Sequence, residues 1–146
     1  MRAVRRDWRA EEGNALVEFV YLAILLMVPL VYLLISVFYV QRAAFGTTEA
    51  ARQAGRAFTR AATVEQAQAR ATAAATLALK DQGIALVREV RTTCLGGPCL
   101  SPGSRVRITV RYDVRLPLLG AVFGRGPRGT IPVSATHTEY VDTYAP

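Results

Sequence analysis

The sequence predicts an α+β protein. A long N-terminal transmembrane helix extends into a small extracytoplasmic domain with a second helix and a three-stranded antiparallel sheet. Three observations carry this. No charged residue occurs from Phe19 to Val40. An alanine-rich stretch, Val64 to Gln82, lies between a capping signal and a glycine. From Arg105 to Arg115 apolar and polar residues alternate strictly, the period of a strand with one buried face.

The apolar run comes first. Residues 19–40 at a helical rise of about 1.5 Å cover about 33 Å, close to the roughly 30 Å hydrocarbon layer of a bilayer. Pro29 sits inside it and is expected to bend the helix without ending it, since neighbouring groups re-satisfy the freed carbonyl in lipid. A secretory signal peptide is the competing reading. Its apolar core runs only about 7 to 15 residues and ends at a small-residue cleavage site, whereas this stretch is longer and continues into Gln41-Arg42. Arg2, Arg5, Arg6 and Arg9 precede the span and Arg42, Arg52 and Arg56 follow it, a slight bias that puts the N-terminus in the cytoplasm. The expected organisation is a cytoplasmic leader over 1–13, a long helix over 14–60 crossing the membrane at about 19–40, and an extracytoplasmic α+β domain over 61–146.

Helical pattern persists from Gln41 to about Thr59. Ala44, Thr47, Ala51, Ala54 and Phe58 form one stripe, and Glu49, Arg52, Arg56 and Arg60 another. The small-residue stripe lets a second helix or a sheet approach closely, while Gly46 and Gly55 weaken the helix locally. Thr63 followed by Gln66, with Glu65 in the first turn, reads as a capping box that opens the second helix, and Gly83 as its stop. The interruption near Ala61 is read as a break, with a kink as the alternative. In the sheet, Val106, Ile108, Val110, Tyr112 and Val114 face inward. The flanking strands are Ile84 to Thr93 and Ile131 to Val141, joined to the central one by a cysteine loop and by the Gly/Pro-rich stretch from Pro117 to Gly129.

With 146 residues and one span, the chain has room for a single small domain outside the membrane. Its formal charge of +7 comes mostly from arginine, Lys80 being the only lysine. Such a balance suits anionic headgroups, wall polymers or nucleic acid without selecting among them. Cys94 and Cys99, the only cysteines, bracket Leu95-Gly96-Gly97-Pro98, a sequence that turns tightly enough to bring the sulfurs together. A structural disulfide is the natural reading in an exported domain, since two thiols without nearby histidines make a poor zinc site and a redox pair needs closer spacing.

Glu18, at the mouth of the membrane-length helix, is the first candidate functional residue. A carboxylate there is tolerated near the headgroups and favoured by the helix dipole, and on charge alone this bland reading stands level with a functional one. Gly13 tilts the balance. A cut after it would create a free amine at Asn14, one helical turn from Glu18. Between neighbouring subunits in lipid, that ammonium and the Glu18 carboxylate would neutralise each other and lift much of the desolvation cost of each.

Gly13, Asn14 and Glu18 ahead of a long apolar helix resemble the class III signal of type IV pilins and pseudopilins, which a prepilin peptidase processes on the cytoplasmic side. More narrowly, Val17-Glu18-Phe19, Val28-Pro29-Leu30, Gln41-Arg42-Ala43-Ala44 and Glu49-Ala50-Ala51-Arg52 resemble TadE-like minor pilins of the tight-adherence (Flp, type IVc) pilus system. The resemblance is dense over Glu12 to about Phe58 and thin beyond it, apart from Ser134-Ala135-Thr136-His137. It implies a pilin-like fold, cleavage between Gly13 and Asn14, and Glu18 as the assembly carboxylate. The implied partners are membrane lipid, other pilin and pseudopilin subunits, the prepilin peptidase and the pilus assembly platform. Glu11 and Glu12 make the leader less basic than many, and Asn14 replaces the aromatic residue of major type IV pilins. Removing 13 of the 146 residues would leave 133, more than the short major subunit of such pili, so a minor or initiating role fits better.

Elsewhere the sequence offers little chemistry. Arg105, Arg107, Arg111 and Arg115 form a basic stripe on the wet face of the central strand, a candidate grip on anionic polymer or a partner pilin, although most such faces are merely solvated. His137, the only histidine, is read as structural or exposed. The segment Gly124-Arg125-Gly126-Pro127-Arg128-Gly129 reads as a basic loop without a nucleic-acid signature. No phosphate loop, nucleophile elbow or metal cluster appears, so neither an enzyme nor a cofactor or specific nucleic-acid partner is expected. Two further readings stay open: a single-pass membrane-anchored scaffold or ligand-binding protein that does not polymerise, and a secreted domain released by signal peptidase.

Overall fold

The computed structural model describes residues 8–84, 87–116 and 130–143, with side chains from Ala15 onward. The expected loop from Pro117 to Gly129, including its basic Gly124–Gly129 portion, and residues 1–7 of the leader lie outside the described residues. The elements run α1 (Trp8–Thr59), α2 (Val64–Asp81), β1 (Glu89–Leu95), β2 (Arg105–Arg115) and β3 (Thr130–Tyr140). The chain divides into two compact units, Met1–Val37 and Phe38–Pro146.

The first unit contributes the apolar part of α1, which continues through Pro29 without a break. From Leu16 to Val37 its large side chains lie open, Leu26 at 72% and Phe19 at 70% exposure among them, except Tyr32, which is half-buried. This helix is long and apolar enough to cross a membrane.

In the second unit the core forms between α1, α2 and the inner face of the sheet. The α1 side chains buried there are Ala43, Thr47, Ala50, Ala51, Ala54 and Phe58. Ala44, placed on this stripe by the sequence, is exposed, and Ala43 and Ala50 take the inward positions instead. The polar stripe of Glu49, Arg52, Arg56 and Arg60 faces outward as expected. Both glycines lie at contact points. A β-carbon at Gly46 would come within 3.2 Å of Ile84 Cδ1 and 3.3 Å of Leu79 Cδ2, and one at Gly55 within 3.2 Å of Glu139 Cβ. These glycines therefore set how closely α2 and β3 approach α1.

Helix α2 begins and ends as its sequence dictates. The Thr63 side chain accepts a hydrogen bond from the Gln66 backbone N–H (3.3 Å). At the other end Gly83 takes a left-handed conformation (φ 70°), Gly83 N–H donates to the Lys80 carbonyl and Ile84 N–H to the Leu79 carbonyl. With Ile84 and Leu79 both buried, this is a Schellman stop with its apolar clasp. The clasp explains a difference from the expected strand boundaries. Ile84 is consumed in closing α2, and β1 starts only at Glu89 and ends at Leu95. The interruption between α1 and α2 is a true break over residues 60–63.

The sheet has the order β1-β2-β3 and both pairings are antiparallel. On β2, Val106, Ile108, Val110 and Val114 are buried and Tyr112 half-buried, while the arginines between them are exposed. Full burial of a side chain such as Ile108 or Phe58 contributes about 1.5–3 kcal/mol.

Candidate functional site

In the first unit the candidate positions lie on one helix. Gly13 and Asn14 fall within α1, whose helical backbone already begins at Trp8. Glu18 is one turn further on, exposed among Leu16, Val17 and Phe19, and makes no hydrogen bond or ion pair among the described residues. Ser36 donates its hydroxyl to the Tyr32 carbonyl (2.8 Å), returning its polar group to the helix backbone.

In the second unit the loop between β1 and β2 carries the cysteine pair. The sulfurs of Cys94 and Cys99 are bonded, with 5.4 Å between the α-carbons. Gly96 and Gly97 both have positive φ, 85° and 147°, which a side chain would resist, and this allows the chain to reverse within the bridge. Beyond it Ser101 closes back on the Pro98 carbonyl through its hydroxyl (2.7 Å). Gly103 and Ser104 exchange backbone hydrogen bonds with Val141, so the loop is tied to the end of β3.

The outer face of the sheet holds the arginine stripe. Arg105, Arg107, Arg111 and Arg115 are all exposed along β2. Register decides which of them are paired. Glu89 stands opposite Arg111 on β1 and meets both Arg111 (3.5 Å) and Arg91 (3.0 Å). Asp113, two residues further along β2, is taken by Arg88. Arg105, Arg107 and Arg115 have no ion pair among the described residues. Hydroxyls flank them: Arg107 lies between Thr93 and Thr138, and the next row places Thr109 opposite Thr136, their hydroxyl oxygens 3.0 Å apart. Sequence alternation located the stripe but not its counter-ions, because pairing across strands follows from register.

His137, read as structural or exposed, is half-buried on the inner side of β3. Its Nε2 lies 2.9 Å from Glu139 Oε2, next to Gly55. The i, i+2 spacing of His137 and Glu139 was a signal for this pair, since a strand returns to the same face every second residue. Among the described residues no group of three or more histidine, cysteine, aspartate or glutamate side chains is gathered as a metal site.

Compared with protein-family models, curated proteins and solved structures, the chain matches none of them.

Proposed function

We propose that this chain is a pilin-like subunit: it inserts in the cytoplasmic membrane with its N-terminus inside, is cut after Gly13, and assembles through α1. Within that class, the reading is a TadE-like minor pilin or pseudopilin of a tight-adherence (Flp, type IVc) pilus, acting in assembly or initiation. Its partners would be membrane lipid, other pilin and pseudopilin subunits, the prepilin peptidase and the assembly platform.

The observation that carries the reading is Glu18, an exposed carboxylate without a partner among the described residues, at the start of the exposed apolar stretch of α1. A terminal amine on Asn14 of an adjoining subunit would supply the missing charge in a medium where an isolated ion is costly. The small domain agrees in kind, with a helix laid on a three-stranded antiparallel sheet and a bridged loop at its edge. The alternative is a membrane-anchored scaffold that never polymerises, for which the exposed arginine face is the specific support.

The N-terminus of the endogenous protein tests the proposal directly. Mass spectrometry is expected to find a chain beginning at Asn14, and a chain that keeps its first 13 residues overturns it. A second arm is Glu18→Ala. Membrane insertion should persist while incorporation into pili falls at least about tenfold, the effect of leaving one member of a charge pair unmatched. Unchanged incorporation would refute the role given to Glu18.

A further inference from the structure

We propose that the outer face of the sheet is a binding surface for a polyanionic polysaccharide, laid along β2. This goes beyond the filament reading and stands on the sheet alone.

The face is built around unmatched positive charge. Its two acids among the described strand residues, Glu89 and Asp113, are already engaged by Arg91, Arg111 and Arg88. Arg105, Arg107 and Arg115 remain exposed without a counter-ion among the described residues. At a strand rise of about 3.3 Å the first two stand about 7 Å apart, and Arg115 about 26 Å beyond Arg107. An extended chain bearing repeated anionic groups can meet all three, whereas a compact anion cannot span from Arg107 to Arg115.

Polar groups decide the kind of chain. Thr93 and Thr138 flank Arg107 on the neighbouring strands, so hydroxyls and guanidinium groups share one face of the sheet. Opposite Arg105 stands Tyr140, 67% exposed, an aromatic plane at the end of the row. Hydroxyl donors and acceptors beside guanidinium forks, with one ring at the edge, match a sugar chain carrying carboxylate, phosphate or sulfate groups. Nucleic acid fits less well. Single strands are held on successive aromatic platforms, of which this face has one among the described residues, and a duplex takes an element that enters its groove, which the broad face of a sheet does not.

The test uses the full-length chain in neutral detergent and polygalacturonate as probe, with neutral dextran as the blank. Binding is measured by biolayer interferometry at low and at raised salt. The unaltered chain is expected to bind polygalacturonate, to ignore dextran, and to weaken as salt rises. The triple variant Arg105→Gln, Arg107→Gln, Arg115→Gln should bind at least about tenfold more weakly, since ionic contacts to a polyanion dominate affinity. Arg52→Gln, Arg56→Gln, Arg60→Gln removes the same charge from α1 and the turn that follows it, and should stay within about twofold of the parent. Arg107→Gln alone, a single exposed change that leaves the core intact, should lower affinity about threefold. Equal losses in the two triple variants, an unchanged Arg107→Gln, no binding by the parent, or displacement of polygalacturonate by duplex DNA at equal or lower concentration would each overturn the proposal. Failure here leaves the N-terminal processing unaffected, and an uncut leader leaves this face standing.

Discussion

Replacing Gly55 by alanine tests how α1 is docked on the sheet, and Gly46→Ala supplies the internal comparison. Both changes gain helix propensity, about 1 kcal/mol for alanine over glycine in a helix interior. They differ in what the new methyl meets. At Gly55 the nearest atom would be Glu139 Cβ at 3.2 Å, one bond from the β3 backbone, with His137 Cδ2 at 3.4 Å. Relief requires α1 or β3 to move by a few tenths of an ångström, and overpacking of this kind costs about 1–3 kcal/mol. At Gly46 the contacts are Ile84 Cδ1 at 3.2 Å, Leu79 Cδ2 at 3.3 Å and Gln82 Cγ at 3.4 Å, all on side chains that can shift within their rotamers. Gly55→Ala should therefore destabilise the second unit by about 1 kcal/mol net, and Gly46→Ala should leave it within about 0.5 kcal/mol of the parent. Pulse proteolysis of the full-length chain across a urea series, following the fragment from the second unit, reads both values. A Gly55→Ala protein as stable as the parent, or more so, would refute the close α1–β3 contact.

Two further changes probe the loops around the core. Cys94→Ser with Cys99→Ser should lower stability by about 2 kcal/mol, the loop-closure entropy of so short a bridge, and the same urea series under non-reducing conditions checks it. Thr63→Ala removes the side chain that accepts from Gln66 N–H, and should cost about 1 kcal/mol while Thr63→Ser costs less; hydrogen exchange at the first turn of α2 separates the two.

The sequence made some of this fold readable and hid the rest for physical reasons. The cap at Thr63, the stop at Gly83 and the alternation on β2 are local devices, complete within a few residues, and each appears where its residues stand. The start of β1 differs from the expected Ile84 because that residue fits equally well as a strand residue or as the apolar clasp of a Schellman stop, and only its contact with Leu79 separates the two. Ala44 falls on the small-residue stripe in sequence because alanine marks no face by itself; burial of Ala43 and Ala50 follows from which neighbours α1 meets. The glycines were read for their cost to the helix, yet their positions answer to Ile84 and Glu139, residues distant in sequence. For the candidate sites the same division holds. Glu18 and the arginine stripe are visible as residue types in a pattern, whereas the pairing of Glu89 with Arg91 and Arg111, and the isolation of Arg105, depend on strand register.

Small and large side chains along α1 answer different demands. Where the helix meets α2 and β3 it uses alanine and glycine, because a defined neighbour must come close. From Leu16 to Val37 it uses leucine, isoleucine, valine and aromatics in every direction, with no inward stripe. Such a surface is costly to leave in water, and lipid or the apolar helices of other subunits would satisfy it. Lipid does not satisfy Glu18. For an anchor whose only task is to hold a domain at the membrane, a carboxylate at that position is tolerated at the headgroups and gains a little from the helix dipole, but costs up to about 2.5–3.5 kcal/mol if drawn into the hydrocarbon. Substituting glutamine or alanine would leave such an anchor in place. On the filament reading the cost becomes the source of specificity: the carboxylate disfavours every lateral packing of apolar helices except the one that brings a terminal amine to it. Glu18→Gln is the discriminating substitution, since it keeps the shape of the side chain and removes its charge, leaving an anchor intact and an assembling subunit without its register.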